Sequence, residues 1–482
     1  MTPLLILSCI AIYFSILLFI SWYTSKNANQ QSYFIGNRQS AWYLVAFGLI
    51  GDSLSGVTFV SVPGAVYNQQ FGYMQLVFGY LLGYLVIAKV LLPLYYKLQL
   101  TSIYSYLGMR FGSNSQKTGS FFFLLSRLIG AAFRLYISAT VLQLFIFDAW
   151  GVPFALTVSV VIALILLYTY RGGIKTLVWT DTLQSGFLLM GVLLSIVAIA
   201  NALDLKFMGI VNTVRESEYS QIFFWDWKEK SNFFKQFFSG AFIAIVMTGL
   251  DQNMMQKNLS CKSLPEAQKN IYWFSVVLIF VNLFFVSLGA LLYAYAAKMG
   301  ISLPAKTDQL FPLLALNHLG IFAAIVFVLG ITAATFSSAD SVLTTLTTSF
   351  CIDFLKQDPN VENEQSKRTR HWVHISFAFL LLIVIIIFQQ INNDAVINSV
   401  FTAAGYTYGP LLGLFGLGLF TKINLKDRWV PFICIASPLI VWILDKNSVQ
   451  WLNGYKFGFE LLMLNGFITF IGLLLLKKRA KS

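Results

Sequence analysis

The chain has 482 residues, is 57% hydrophobic and only 11% charged, and carries 45 phenylalanines, more apolar side chain than one soluble core of this length requires. Its net charge of +13 is not gathered on a basic helix with interleaved aromatics, so nucleic acid is not an expected partner. The composition is that of an all-α integral membrane protein whose surroundings are the lipid bilayer.

Apolar runs of about 20 residues, each long enough to cross a hydrocarbon core of about 30 Å, recur along the whole chain. Thirteen spans are predicted, near 3–23, 42–66, 74–96, 120–147, 152–170, 177–200, 236–256, 271–297, 320–350, 371–389, 395–420, 429–445 and 457–476. The first begins with no basic n-region and no small-residue cleavage pattern, so it reads as a retained helix with the N-terminus outside. Counting Lys and Arg, the loops after odd-numbered spans and the C-terminal tail hold 21 and the opposite loops hold 9. That bias places the C-terminus in the cytoplasm of a multi-pass plasma (inner) membrane protein. The external loop from about 201 to 235, with "FFWDWKEK" at its centre, is expected to carry a short interfacial helix.

The second span contains "GLIGDSLSGVTFVSVPG", where glycines, serines and Asp52 interrupt the apolar pattern. Close packing through small residues accounts for Gly51 and Ser55. It does not account for Asp52, a carboxylate that costs several kcal/mol at the membrane centre. Unwound backbone there is tolerated only where it is buried in protein or lines a wet cavity, and it frees carbonyls to hold a cation.

Arg134 sits about 20 Å from either end of its predicted span, too deep to snorkel, and therefore needs a partner. Arg127 and Lys89 lie nearer the cytoplasmic ends of their spans and are expected to reach the interface. Asp181, near the start of its span, is placed to complement a helix N-terminus. The seventh span, "GAFIAIVMTGLDQ", is apolar until Asp251 and is expected to supply walls.

In the ninth span, Ala334, Ser337, Ser338 and Ser341 share one helical face and Asp340 borders it. Thr344, Thr345 and Thr348 continue the stripe toward the cytoplasm, either as an ion path or as hydroxyls bonded back to their own helix. The four cysteines are scattered without C-x-x-C spacing and are expected to be free. His318, His371 and His374 lie near predicted helix ends, where a solvated or interfacial position is expected. No H-E-x-x-H, no G-x-S-x-G and no paired histidines on one helix are present, so an enzyme is not expected.

Four motifs occur in order along the chain: "GDSLSGVTF", the expected turn "RGGIKTLVWTD", "SSADS" followed by "SFCIDF", and "GYTYGPLLGLFGLGLF". Together they resemble the sodium/solute symporter family over nearly the whole chain. The resemblance implies a LeuT-like 5+5 inverted repeat with one leading and two trailing helices, within one transport domain over 1–482. The leading helix and loop would be 1–41, the halves 42–200 and 236–420, and the trailing helices 429–482. It implies a first sodium held by carbonyls of Gly51, Leu54 and Ala334 and hydroxyls of Ser337 and Ser338. Oxygens without formal charge suit a hard monovalent ion that must leave again.

A second ion, sodium or a proton, would use Asp181, Ser341 and Asp340, the last standing where a serine is usual. Asp52, Ser55, Thr58 and Arg134 are the candidate solute-binding residues. Arg134 would hold a carboxylate and Asp52 an amine or hydroxyl, unless the two pair with each other. The implied function is sodium-coupled import of a small polar organic solute (a sugar, sialic acid, amino acid or other organic acid), with no obligate protein partner. Proton coupling and a non-transporting solute sensor are the alternatives.

Overall fold

The computed structural model describes residues 3–25, 36–358, 363–391 and 395–478. The main helices are α1 (Pro3–Ser25), α2 (Trp42–Ser53), α3 (Gly56–Gln69), α4 (Tyr73–Val86), α5 (Ser113–Leu142), α6 (Phe154–Ala202), α7 (Phe233–Ala244) and α8 (Gln252–Leu259). They are followed by α9 (Leu264–Lys298), α10 (Gly320–Ser349), α11 (Glu364–Ile391), α12 (Val396–Thr407), α13 (Gly409–Phe420), α14 (Val430–Trp451) and α15 (Leu461–Leu474).

The expected thirteen spans are not what the chain forms. Among the described residues, eight helices are long and apolar enough to cross a membrane, or nine if the bent pair α7 and α8 is one span. Hydropathy measures how far an apolar run extends and is blind to where its hydrogen bonding stops. The run 42–66 divides into α2 and α3, of 12 and 14 residues, and the run 395–420 into α12 and α13, of 12 residues each. At 1.5 Å per residue such pieces are only about 20 Å long. The runs 152–170 and 177–200 merge into one helix, with helical backbone through the expected "RGGIK" turn.

Each break has a local cause. In α2, Asp52, Ser53 and Ser55 offer polar partners that compete with the helix ladder, and Gly56 is a weak helix former. The chain leaves the helix at Leu54 (φ −98°, ψ 73°) and Ser55 (φ −74°, ψ 179°). Asp251 ends the preceding segment by capping α8, its carboxylate accepting from the Met254 amide at 3.2 Å, and the axes of the two segments differ by 64°. Pro410, in the first turn of α13, cannot donate to the end of α12.

The packing resembles an inverted repeat. Helix α3 lies on α9 and α7 lies on α4, while α5 packs on α12 and α10 on α6. Matching α2/α3 with α7/α8, α4 with α9, α5 with α10 and α6 with α12 exchanges these contacts in pairs. The backbones of α4 and α7 nearly touch. A Cβ on Gly79 would stand 1.9 Å from the Phe237 carbonyl oxygen, and one on Gly240 would stand 2.0 Å from that of Leu76.

The loop between α6 and α7 does carry a short helix, Phe207–Arg215, with Phe207 and Met208 exposed. It precedes the "FFWDWKEK" segment, which is irregular over its first four residues and turns over its last four. The four cysteines are free.

Candidate solute and ion site

The break between α2 and α3 opens onto a cavity of about 70 Å³, lined among others by Asp52, Ser55, Thr58, Tyr84, Arg134 and Asn282. All four candidate solute-binding residues are therefore brought to one place. Beyond it lies a second cavity of about 410 Å³ near Asn68, Gln69 and Asn398, and Tyr73 lines both.

Arg134 is 8% exposed. Its guanidinium makes one long hydrogen bond, 3.5 Å to the backbone carbonyl of Asp52, and no ion pair among the described residues. The expected alternative of an Asp52–Arg134 ion pair is thus not formed. Asp52 turns its Oδ2 to Lys257, and its Oδ1 is buried without a partner, as is the Oδ1 of Asn282. The cavity presents a buried cation with nearly all its donors unused and two unused acceptors.

Of the first expected ion set, Gly51 of α2 and Ser337 of α10 are brought side by side. Helix α2 bears on α10 through Gly51, where an added Cβ would lie 3.1 Å from the Ser337 hydroxyl. Gly51 lies in the last turn of α2 and not in the break itself. Its carbonyl faces outward from the ladder because its i+4 partner would be Ser55, beyond the break. On α10, the Ser338 hydroxyl donates to the carbonyls of Ala334 (3.2 Å) and Thr335 (3.1 Å), and the Ser337 hydroxyl donates to Asp181 at 3.3 Å. Ser185 of α6, not anticipated from sequence, fixes the other side of Gly51 by accepting from its amide at 2.8 Å. These oxygens fit a bare monovalent cation, since a hydroxyl can turn from a carbonyl to offer its lone pair.

The second set departs from expectation. Lys257, in α8, is 1% exposed, and its ammonium bonds Asp52, Asp181 at 2.5 Å and Ser341 at 2.8 Å. Asp181 is therefore held by a buried cation within α6, and does not cap a helix N-terminus. The carboxylate that shares Lys257 with it is Asp52; Asp340 accepts from the Ser341 amide at 2.5 Å. Lys257 escaped the sequence reading because its neighbours, "QNMMQKNLS", are polar enough to pass for a cytoplasmic loop. Its charge there served only as one more positive-inside residue. The available signal was that it lies just six residues after Asp251, where the apolar span breaks.

Two further expectations are corrected. Arg127 does not snorkel: it is 5% exposed and its Nε lies 2.5 Å from Asp251, which also accepts from the Tyr408 hydroxyl at 2.6 Å. Burial without a partner would cost more than extending the side chain could recover, and Asp251 supplies that partner. It is thus more than wall material. His374 is buried between Thr169 (3.0 Å) and Thr347 (2.9 Å) on neighbouring helices, not at an interface. Lys89 is exposed. Thr345 and Thr348 bond back to carbonyls of their own helix, but Thr345 also reaches Asn253 of α8 at 2.9 Å and the Thr344 hydroxyl is buried without a partner, so the stripe is only in part self-bonded.

Known proteins resemble this chain in sequence and in fold. The pattern of the sodium:solute symporter family matches residues 33–426. The chain is 24% identical to the sodium/sialic acid symporter NanT of Aliivibrio fischeri, covering 93% of this chain and 89% of that protein. It is 27% identical to human sodium-coupled monocarboxylate transporter 1, over 83% of this chain and 66% of that protein. Its fold matches the solved structure of a Na+-coupled sialic acid symporter in a substrate-bound outward-open state with a TM-score of 0.83. That likeness has 22% identity and covers 98% of this chain and 99% of that one. A nucleobase-cation-symport-1 family transporter matches with a TM-score of 0.56 at 14% identity, over 90% of this chain and 91% of that one. The chain belongs to the sodium:solute symporter family and is a sodium-coupled secondary transporter.

Proposed function

We propose that the solute carries a carboxylate, bound by Arg134, with an adjacent hydroxyl or amine donating to Asp52 and Asn282. The observation that carries this reading is the buried Arg134 guanidinium, which lines the cavity with a single 3.5 Å hydrogen bond. An uncompensated buried charge is expensive, and an anion that reaches it gains what the free protein lacks. A cavity of about 70 Å³ has room for about two waters at liquid density. That suits the carboxylate end of a solute together with its neighbouring donor. The names of the sialic acid and monocarboxylate relatives point to the same chemistry.

Sodium would be held by the carbonyls of Gly51, Leu54 and Ala334 and the hydroxyls of Ser337 and Ser338. It would brace the end of α2 against α10. Since the cavity is bounded by the residues just after that break, sodium and solute each favour the arrangement the other needs, and affinity rises reciprocally. In this reading the segments 42–200 and 236–420 are the two halves of the repeat, 1–41 leads and 429–482 trails. The N-terminus faces outward and the C-terminus the cytoplasm across a plasma membrane, so that the inward sodium gradient drives import.

The test is thermal stabilisation of purified protein by lactate, proline and N-acetylneuraminate, each against its methyl ester, in sodium and in potassium. At least one acid should stabilise in sodium while its ester does not, and Arg134→Ala should weaken that acid by about 30-fold or more. Equal stabilisation by an acid and its ester would remove the role given to Arg134. Uptake driven by a pH gradient without sodium would replace the coupling ion.

A further inference from the structure

We infer that the Lys257 ammonium is a tethered cation occupying the second ion position, so that no free sodium binds among Asp52, Asp181 and Ser341 until this lysine is removed. The inference uses the family's ion geometry but concerns a residue that reading does not include.

Three features support it. The ammonium has three N–H donors, and the site supplies three acceptors from three different elements: Asp52 on α2, Asp181 on α6 and Ser341 on α10. No donor remains unmatched, and the ammonium stands among the oxygens a second cation would need. The lysine is carried in by α8, whose start is fixed by the Asp251 cap and whose residues are all buried. Its position thus follows from the 64° bend and not from a flexible surface stem. Finally, two carboxylates converge where hydrocarbon surrounds the protein, and a positive charge is needed there in every conformation in which they stay together.

A tethered cation differs from a dissolved one in a single respect: it cannot be released to the cytoplasm. The position therefore contributes charge balance and holds α2, α6 and α10 together, but draws no energy from the sodium gradient. The one position left to sodium is that between Gly51 and Ser338.

Radiolabelled sodium bound per protein, measured at pH 8 on purified full-length chain, tests this through a difference. Lys257→Gln should bind one sodium more than the unaltered protein. In Lys257→Gln with Asp52→Asn, which removes one charge of each sign, the extra sodium should also appear. The double variant guards against the single variant failing to fold, and size-exclusion profiles report that directly. Extra sodium in the folded double variant supports the assignment, whether or not the single variant folds. An unchanged count in the folded double variant would overturn it, as would two sodium ions on the unaltered protein that persist when Ser337 and Ser338 are both alanine. Because the readout is a difference, failure of the first sodium site would lower the unaltered count without imitating either result.

Discussion

Asp52 and Asp251 each stand at a helix break in the membrane, each beside a buried cation, yet they are in opposite states. Both oxygens of Asp251 are engaged: Oδ1 caps α8, and Oδ2 takes the Arg127 guanidinium and the Tyr408 hydroxyl. Asp52 gives Oδ2 to Lys257 and leaves Oδ1 unused at the cavity. The first arrangement is complete and closes the structure where α5, α8 and the α12–α13 break meet. The second keeps one acceptor in reserve, next to an Arg134 that is equally underused. Burial and charge alone do not separate structural from functional carboxylates; the remaining hydrogen-bonding capacity does.

The comparison can be broken most forcefully at Asp251. Asp251→Ala strands Arg127 in the protein interior and should cost about 3–5 kcal/mol, read as a large fall in the thermal unfolding midpoint in detergent. Asp52→Asn, which keeps the shape and leaves Lys257 its bond to Asp181, should cost distinctly less. If the two lose the same stability, the contrast between them is wrong.

Next in size is the pair Ser337→Ala and Ser338→Ala. Removing both hydroxyls should raise the sodium concentration for half-maximal uptake by about 100-fold, near 2.7 kcal/mol, with the unfolding midpoint little changed. Unaltered sodium dependence would detach these serines from the ion. Gly51→Ala sharpens the same point. Its new methyl would stand 2.5 Å from the Ser185 hydroxyl, an overpacking cost of about 1–3 kcal/mol, and Ser185→Ala should restore part of the loss. Absence of rescue would mean the clash lies with α10 instead. Smallest is Tyr408→Phe, which removes one hydrogen bond to a charged partner, about 1.5 kcal/mol, and should be seen only as a modest midpoint shift.

What the sequence made legible follows from what each pattern measures. The depth of Asp52 and Arg134 could be counted along an apolar run, and both reach the same cavity. The small-residue stripe of α10 is a matter of helical periodicity, and it does face Gly51. The number of spans was overestimated because a hydropathy window cannot register Leu54, Asp251 or Tyr408 as interruptions. Arg127 and His374 were misplaced for a different reason. Distance to the membrane surface suggested an escape route, while the buried partners that make escape unnecessary, Asp251, Thr169 and Thr347, belong to helices remote in sequence. Lys257 was hidden by both effects together.

Because nothing but hydrogen separates Gly79 from Phe237 and Gly240 from Leu76, α4 and α7 form a rigid strut spliced from segments far apart in the chain. A strut of this kind does not lengthen or part when one end is pushed. Any side chain larger than hydrogen at Gly79 or Gly240 would meet the backbone of the other segment and force the two apart.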